Sequence, residues 1–285
     1  MKCISRIFIY CVIIMFFCMS AYGQTKTTSV TDGGLAGYEK EFFISSSDNT
    51  NTLKASGRLQ TRFYYQQEKT DNIDEKEYRF AIQRARLKLK GHISKKYEYE
   101  FQADFGKGNV SLKDFYCNIV IVKEMFELRV GQFKKPFSRQ QITSSGKLEL
   151  SDRAITDSFF SAGRDIGLKI HNRYDKSPKF EYAVGIFNGT GDSSILSGKT
   201  EVDISSGNGK ITSGKFSNIP SKFKPLFVTR VGFNSAGLKG YSEGDLEGGD
   251  LRYGIAISGF SERDGDEDDN TLSGGDVDYV IKWNG

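Results

Sequence analysis

Three features of this sequence predict an all-β chain, an antiparallel β-barrel that crosses a membrane. The first is the run from Phe80 to Gly91. From Arg84 onward its side chains alternate, with Arg84, Arg86, Lys88 and Lys90 on one face and Ala85, Leu87, Leu89 and Gly91 on the other. A helix would scatter these cations around its circumference. A soluble sheet seldom stacks four like charges down one face, because neighbouring like charges repel. A barrel with an apolar outer wall and a water-filled, anion-attracting bore accommodates both faces. The second feature is the absence, after Gly23, of any run long and apolar enough for a membrane-spanning helix. The third is the alternation of joins. Those near 95–96, 123–124 and 175–178 are short, and those at 189–225 and 262–275 are long. Outer-membrane barrels have short turns at one end and long loops at the other.

The chain opens on a targeting signal over residues 1–23. Lys2 and Arg6 precede an apolar stretch from Ile7 to Met19, and Ala21-Tyr22-Gly23 places small residues where a signal peptidase reads, so cleavage is expected before Gln24. Lipidation at Cys18 is the competing reading, disfavoured by Phe17 before it. Removing Lys2 and Arg6 lowers the formal net charge from +4 to +2, so the placement of charge says more than its sum. Cys117 is then the one cysteine left, which excludes an internal disulfide framework and a cysteine-based zinc site. Its apolar strand phase reads as that of a small hydrophobe.

Residues 24–52 form a polar leader, interrupted only by Phe42-Phe43-Ile44. The barrel domain is expected over 53–285. Roughly ten strands follow one another by their period of two. They cover 53–67, the cationic strand ending at 91, 97–105, 112–122, 126–133, 165–174, 180–188, 226–234, 250–260 and 276–283. Tyr97, Tyr99, Phe101 and Ala103 oppose Glu98, Glu100, Gln102 and Asp104 in the third of them. Residues 136–163 break the rhythm; a segment of that length is expected either to fold into the lumen and narrow it or to form a mobile surface loop, and it has room for a short helix. The chain stops at Trp283-Asn284-Gly285, within or just past a strand, so further strands are expected beyond it and the barrel is expected to be incomplete.

The motifs Gly57-Arg-Leu-Gln60, Arg84 to Gly91, Tyr97 to Phe101, Gln102 to Gly106, Leu128 to Arg139, Gly163 to Gly167 and Tyr182 to Gly189 occur in an order that resembles the phosphate-selective porin O and P family. The likeness runs from about Phe42 to Asn188. It implies a homotrimer of outer-membrane barrels in lipid, each with its own channel for small anions such as phosphate. It also implies a pore lined by cations, here Arg84, Arg86, Lys88, Lys90, Arg129, Arg153 and Arg164. Arg58 and Arg62 share the polar phase of the first barrel strand and join that set. Cations along a narrow wall offset the hydration an anion loses, and guanidinium forks suit phosphate oxygens. The acids Glu98, Glu100, Asp104 and Asp114 lie on the same polar face. They temper the positive field, and the cations could equally serve as partners in lumenal ion pairs that stiffen the barrel.

Nothing points to catalysis. There is no Gly-x-Ser-x-Gly elbow, His-Glu-x-x-His helix or phosphate-binding P-loop, and His92 and His171 are far apart, with His171 in a polar phase. No cofactor, metal or nucleic acid is expected. The run Arg263–Asn270 has the early spacing of a calcium loop but places Asp269 where glycine is needed and Gly275 where glutamate is needed, so it reads as a solvated loop. The alternative function is an exported all-β protein that binds polysaccharide through tyrosine-rich faces. The two readings differ in which face of the strands meets water.

Overall fold

The fold comes from a computed structural model that describes residues 29–31, 34–70, 73–108, 110–155, 157, 163–189, 195–197, 202–203, 210–211, 215–217, 223–245, 247–263 and 271–284. The expected signal segment 1–23 and the acidic run 264–270 lie outside the described residues.

Strands β1 (Ser29–Thr31), β2 (Gly34–Glu39), β3 (Glu41–Ser46), β4 (Thr52–Thr70), β5 (Ile73–Ile93), β6 (Tyr97–Asp104), β7 (Ser111–Val122) and β8 (Phe126–Lys134) come first. After a short helix α1 (Arg139–Ile142) come β9 (Arg164–His171) and β10 (Phe180–Phe187). Four short strands, β11 (Ile195–Ser197), β12 (Val202–Asp203), β13 (Lys210–Ile211) and β14 (Lys215–Ser217), pair only among themselves. Strands β15 (Leu226–Asn234), β16 (Arg252–Arg263) and β17 (Thr271–Lys282) complete the main sheet. That sheet has 13 strands in chain order, each antiparallel to the next, with β10 meeting β15 directly. Its end strands β1 and β17 do not pair with each other.

All ten expected strands are present, and three more, β1 to β3, extend the sheet through the stretch read as a polar leader. The hairpin of β4 and β5 is longer than expected, because Thr70 pairs with Ile73 inside the anticipated loop. No helix among the described residues is long and apolar enough to cross a membrane.

The two faces of the sheet are sorted opposite to those of a soluble protein. Outward lie Leu87, Phe115, Val130, Leu168, Val184, Val231 and Ile257, all exposed. Inward lie Asn118, Glu127, Lys169, Glu181 and Arg230, each no more than 2% exposed. Apolar side chains on the exposed face and charges on the enclosed one suit a wall between lipid and water. In a soluble sandwich the same strands would bury Leu87 and Leu168 against a second sheet.

The sheet curls around residues 135–155, the described run that follows β8. Ser145 of that segment accepts from Arg58 of β4, and Arg139 donates to Asp278 of β17, so one loop touches both flanks of the inner face. Phe137 packs with Phe133, Phe187, Leu226 and Val228 in an apolar cluster on that face. Burying a phenylalanine side chain contributes about 1.5–3 kcal/mol. The cluster therefore fixes the root of the loop, while its remaining contacts are polar.

Candidate functional site

The cationic face of β5 starts at a bulge. Gln60 pairs with Arg84 but Thr61 pairs with Ile82, so Gln83 is the extra residue. It reverses the phase of the strand. Tyr78, Phe80 and Ile82 face out before it and Leu87 after it, while Arg84, Arg86, Lys88 and Lys90 all turn inward. This is why the regular alternation begins at Arg84. Opposite them, the unbroken phase of β4 brings Arg58 beside Arg86 and Gln60 beside Arg84.

The nine cations singled out in the sequence share the inner side, but their surroundings differ. Lys88 meets Glu100 at 2.8 Å and Lys90 meets Glu41 at 2.8 Å. Arg164 holds Asp114 through two parallel hydrogen bonds, Nε to Oδ1 at 3.0 Å and Nη2 to Oδ2 at 2.9 Å. Arg86 donates from Nε to Asp104 at 2.7 Å. Its Nη1 and the Nη2 of Arg58 both donate to the hydroxyl oxygen of Ser145, each at 2.9 Å. Two guanidinium groups on neighbouring strands thus converge on one neutral oxygen. Gly146 follows Ser145, and a Cβ there would collide with Nη1 of Arg58, so the absent side chain lets the loop tip approach.

Arg62 pairs with Asp152 of the loop at 2.7 Å, and this hydrogen bond holds the Asp152 carboxyl below the usual carboxylate range. Arg84 donates to Gln60 at 3.1 Å and to the Ser151 carbonyl at 3.4 Å. Arg153 lies within the loop, donating to the carbonyls of Gln140 and Thr143, with Asp157 at 3.8 Å. Arg129 stands apart from the rest. Its guanidinium carbon sits 4.0 Å from the centre of the Tyr116 ring, and its Nε reaches Asn118 at 3.5 Å. Among the described residues, neither Arg84 nor Arg129 has a carboxylate within 4 Å.

Several inner cations were missed. Lys134 donates to three successive loop carbonyls, of Gln141, Ile142 and Thr143, at 2.7, 3.0 and 2.9 Å. Arg230 bridges Glu181 at 3.1 Å and Asp278 at 2.7 Å, and Asp278 also accepts from Arg139. Arg173 joins Glu98 and Glu127. Lys169 is buried beside Arg129. The polar phase of β9 and β15 carried a signal for Lys169 and Arg230. Arg139 and Arg173 lie outside the periodic strands, and Lys134 follows a break in the phase of β8.

A second segment, 235–251, enters from the opposite end. Tyr241 donates to Glu181 at 2.6 Å, and Lys282 donates to Ser242 at 2.7 Å. Glu243 donates its backbone N–H to the carbonyl of Lys147 and accepts at its carboxylate from the N–H of Glu149, each at 2.9 Å. The two segments therefore meet within the curl of the sheet. Among the described residues no cluster of His, Cys, Asp and Glu is arranged to hold a metal.

No curated protein matches the chain. A family model, phosphate-selective porin O and P, matches residues 53–215 of the 285, more than half of the sequence. The matched span covers β4 to β10, and with them the paired arginines, the inserted loop and the apolar outer wall. On that match the chain belongs to the phosphate-selective porin O and P family, whose members are channel-forming barrels of the outer membrane.

Proposed function

We propose that this protein forms a water-filled channel through which small anions, phosphate among them, cross the outer membrane by passive diffusion. The observation that carries this reading is the convergence of Arg58 and Arg86 on a single oxygen, with Arg84 and Arg62 on the same strands. A phosphate oxygen offers the same acceptor with added charge, and forked guanidinium donors match it. Export by the N-terminal signal, residence in outer-membrane lipid and assembly as a homotrimer complete the proposal. They rest on the sequence signal and on the family.

The nine cations Arg58, Arg62, Arg84, Arg86, Lys88, Lys90, Arg129, Arg153 and Arg164 are proposed as the pore lining. The acids beside six of them, Asp152, Asp104, Glu100, Glu41, Asp114 and Asp157, moderate the field. Selectivity then falls mainly to Arg84 and Arg129, which have no carboxylate within 4 Å among the described residues. The polysaccharide-binding alternative is disfavoured by the exposed apolar face, which offers few hydrogen bonds to a sugar.

The test is a planar-bilayer recording under a salt gradient. Arg84→Gln, Arg86→Gln and Lys88→Gln together are expected to lower the anion-over-cation permeability ratio about threefold or more, since fixed charges set local ion concentration. A reversal potential equal to that of the native protein would remove these residues from the conduction path.

A further inference from the structure

The tip of the inserted loop is held from two directions. On one side Ser145 accepts from Arg58 and Arg86 of the wall. On the other, Glu243 of the 235–251 segment binds the loop backbone twice. Its own N–H donates to the Lys147 carbonyl, and its Oε2 accepts from the N–H of Glu149, each at 2.9 Å. The carboxylate does here what a carbonyl does in an antiparallel ladder, closing a two-bond bridge around Leu148. A hydrogen bond to an ionised acceptor is roughly twice as strong as a neutral one.

The limbs of the loop have anchors of their own. Upstream, Lys134 holds the carbonyls of Gln141, Ile142 and Thr143, and Arg153 also holds that of Thr143. Downstream, Arg84 meets the Ser151 carbonyl and Arg62 meets Asp152. Between Thr143 and Ser151 the chain makes a turn, closed by the Lys147 N–H on the Ser144 carbonyl at 2.8 Å, and then runs out to Leu150, which is 76% exposed. Glu243 holds the middle of that stretch, just past Ser145.

The support under Glu243 is rigid. Tyr241 is buried, donates to Glu181 at 2.6 Å and accepts from Nε of Arg230 at 3.1 Å. The Arg139 guanidinium carbon lies 3.9 Å from the centre of its ring. Lys282 donates to the Ser242 hydroxyl at 2.7 Å and to the Gly244 carbonyl at 2.8 Å, on either side of Glu243. A side chain mounted on such a base meets its partner already oriented and loses little freedom on binding.

We propose that Glu243 is a positioning residue for the arginine pair. By fixing Lys147 and Glu149 from the opposite end of the sheet, it keeps the Ser145 hydroxyl seated between Arg58 and Arg86. Without the carboxylate, Ser145 leaves the pair, and an anion meets open guanidinium donors in place of a competing hydroxyl. The inference rests on the channel reading for its effect on ions, while its claim about the loop is separate.

The experiment compares the full-length native protein with Glu243→Ala, Glu243→Gln, Ser145→Ala and the double alanine variant. Inorganic phosphate is titrated as a blocker of potassium chloride current in planar bilayers. Amide hydrogen exchange across residues 144–150 is followed by mass spectrometry in lipid vesicles. Glu243→Ala is expected to lower the half-blocking phosphate concentration about fivefold and to speed exchange about tenfold, as the loss of one charge-assisted hydrogen bond implies. Glu243→Gln removes the charge but keeps an oxygen for the Glu149 N–H, so both readouts are expected to stay near native. In the Ser145→Ala background Glu243→Ala is expected to add nothing to the block, because residues that act through one another are not additive. Native exchange and block in Glu243→Ala, equal values for the alanine and glutamine variants, or additive effects of Glu243→Ala and Ser145→Ala on block would each overturn the positioning role. A native protein without anion-selective current, whose exchange still separates alanine from glutamine, would reject the channel reading and retain the hold on the loop.

Discussion

Gly131 occupies β8 with φ of 130°, a backbone setting that side chains with a Cβ rarely adopt. A Cβ there would run into the carbonyl of Phe115 and approach the Cα of Tyr116 at 2.8 Å. This glycine lets β8 press against the strand that carries the ring under Arg129. Gly131→Ala is expected to cost on the order of 1–3 kcal/mol. It should lower the temperature at which the folded, fast-migrating gel band converts to the unfolded one; an unchanged conversion temperature would show that the backbone relaxes freely. At the same scale, Asp152 sets a pH window. Its carboxyl is held below its usual value by Arg62, so the tether is fully present above about pH 4 and is lost only as pH falls through the lower folded value. Single-channel noise should therefore stay flat from neutral pH to about 4 and rise only in stronger acid. In Asp152→Asn the acid step should vanish. The sequence displayed these cations through their period-two spacing, yet it did not show their partners. Arg62 and Asp152 are ninety positions apart, and spacing carries no information across such a gap.

The inserted loop is the element on which the site depends. Its root is apolar, through Phe137, but its first turn is held by Lys134, whose ammonium faces three carbonyls at the end of α1. Cations there satisfy carbonyls that a four-residue helix leaves without partners. Lys134→Met is expected to free this turn while keeping the apolar root. The readouts are faster proteolysis within 139–157 and larger open-channel fluctuations, and the idea fails if protease resistance matches that of the native protein. The strands β4 to β10 and β15 to β17 were legible because one face is consistently apolar. The strands β1 to β3 were not, because polar, glycine-containing residues hide the alternation over so short a length. The segment 235–251 was also missed. It leaves from the end where other joins are short, and no periodicity marks a chain that folds inward through Tyr241 and Glu243.

For the whole molecule the governing fact is the reversal of inside and outside. Leu168 is exposed on the outer wall while Lys169, its neighbour, is buried. A cation placed on the lipid-facing side of a barrel near mid-depth costs roughly 2–4 kcal/mol. Leu168→Arg is therefore expected to reduce the fraction of heat-modifiable protein recovered in lipid vesicles, whereas Leu168→Ile should leave it unchanged. Equal recovery of both variants would argue that this wall does not meet hydrocarbon. Ser145 carries a consequence for traffic through the molecule. In the proposed channel, a tethered hydroxyl that already occupies the arginine fork would oblige each arriving ion to exchange with it rather than settle into an empty seat. Residence is thereby shortened, and the toll on throughput that deep capture would impose is avoided.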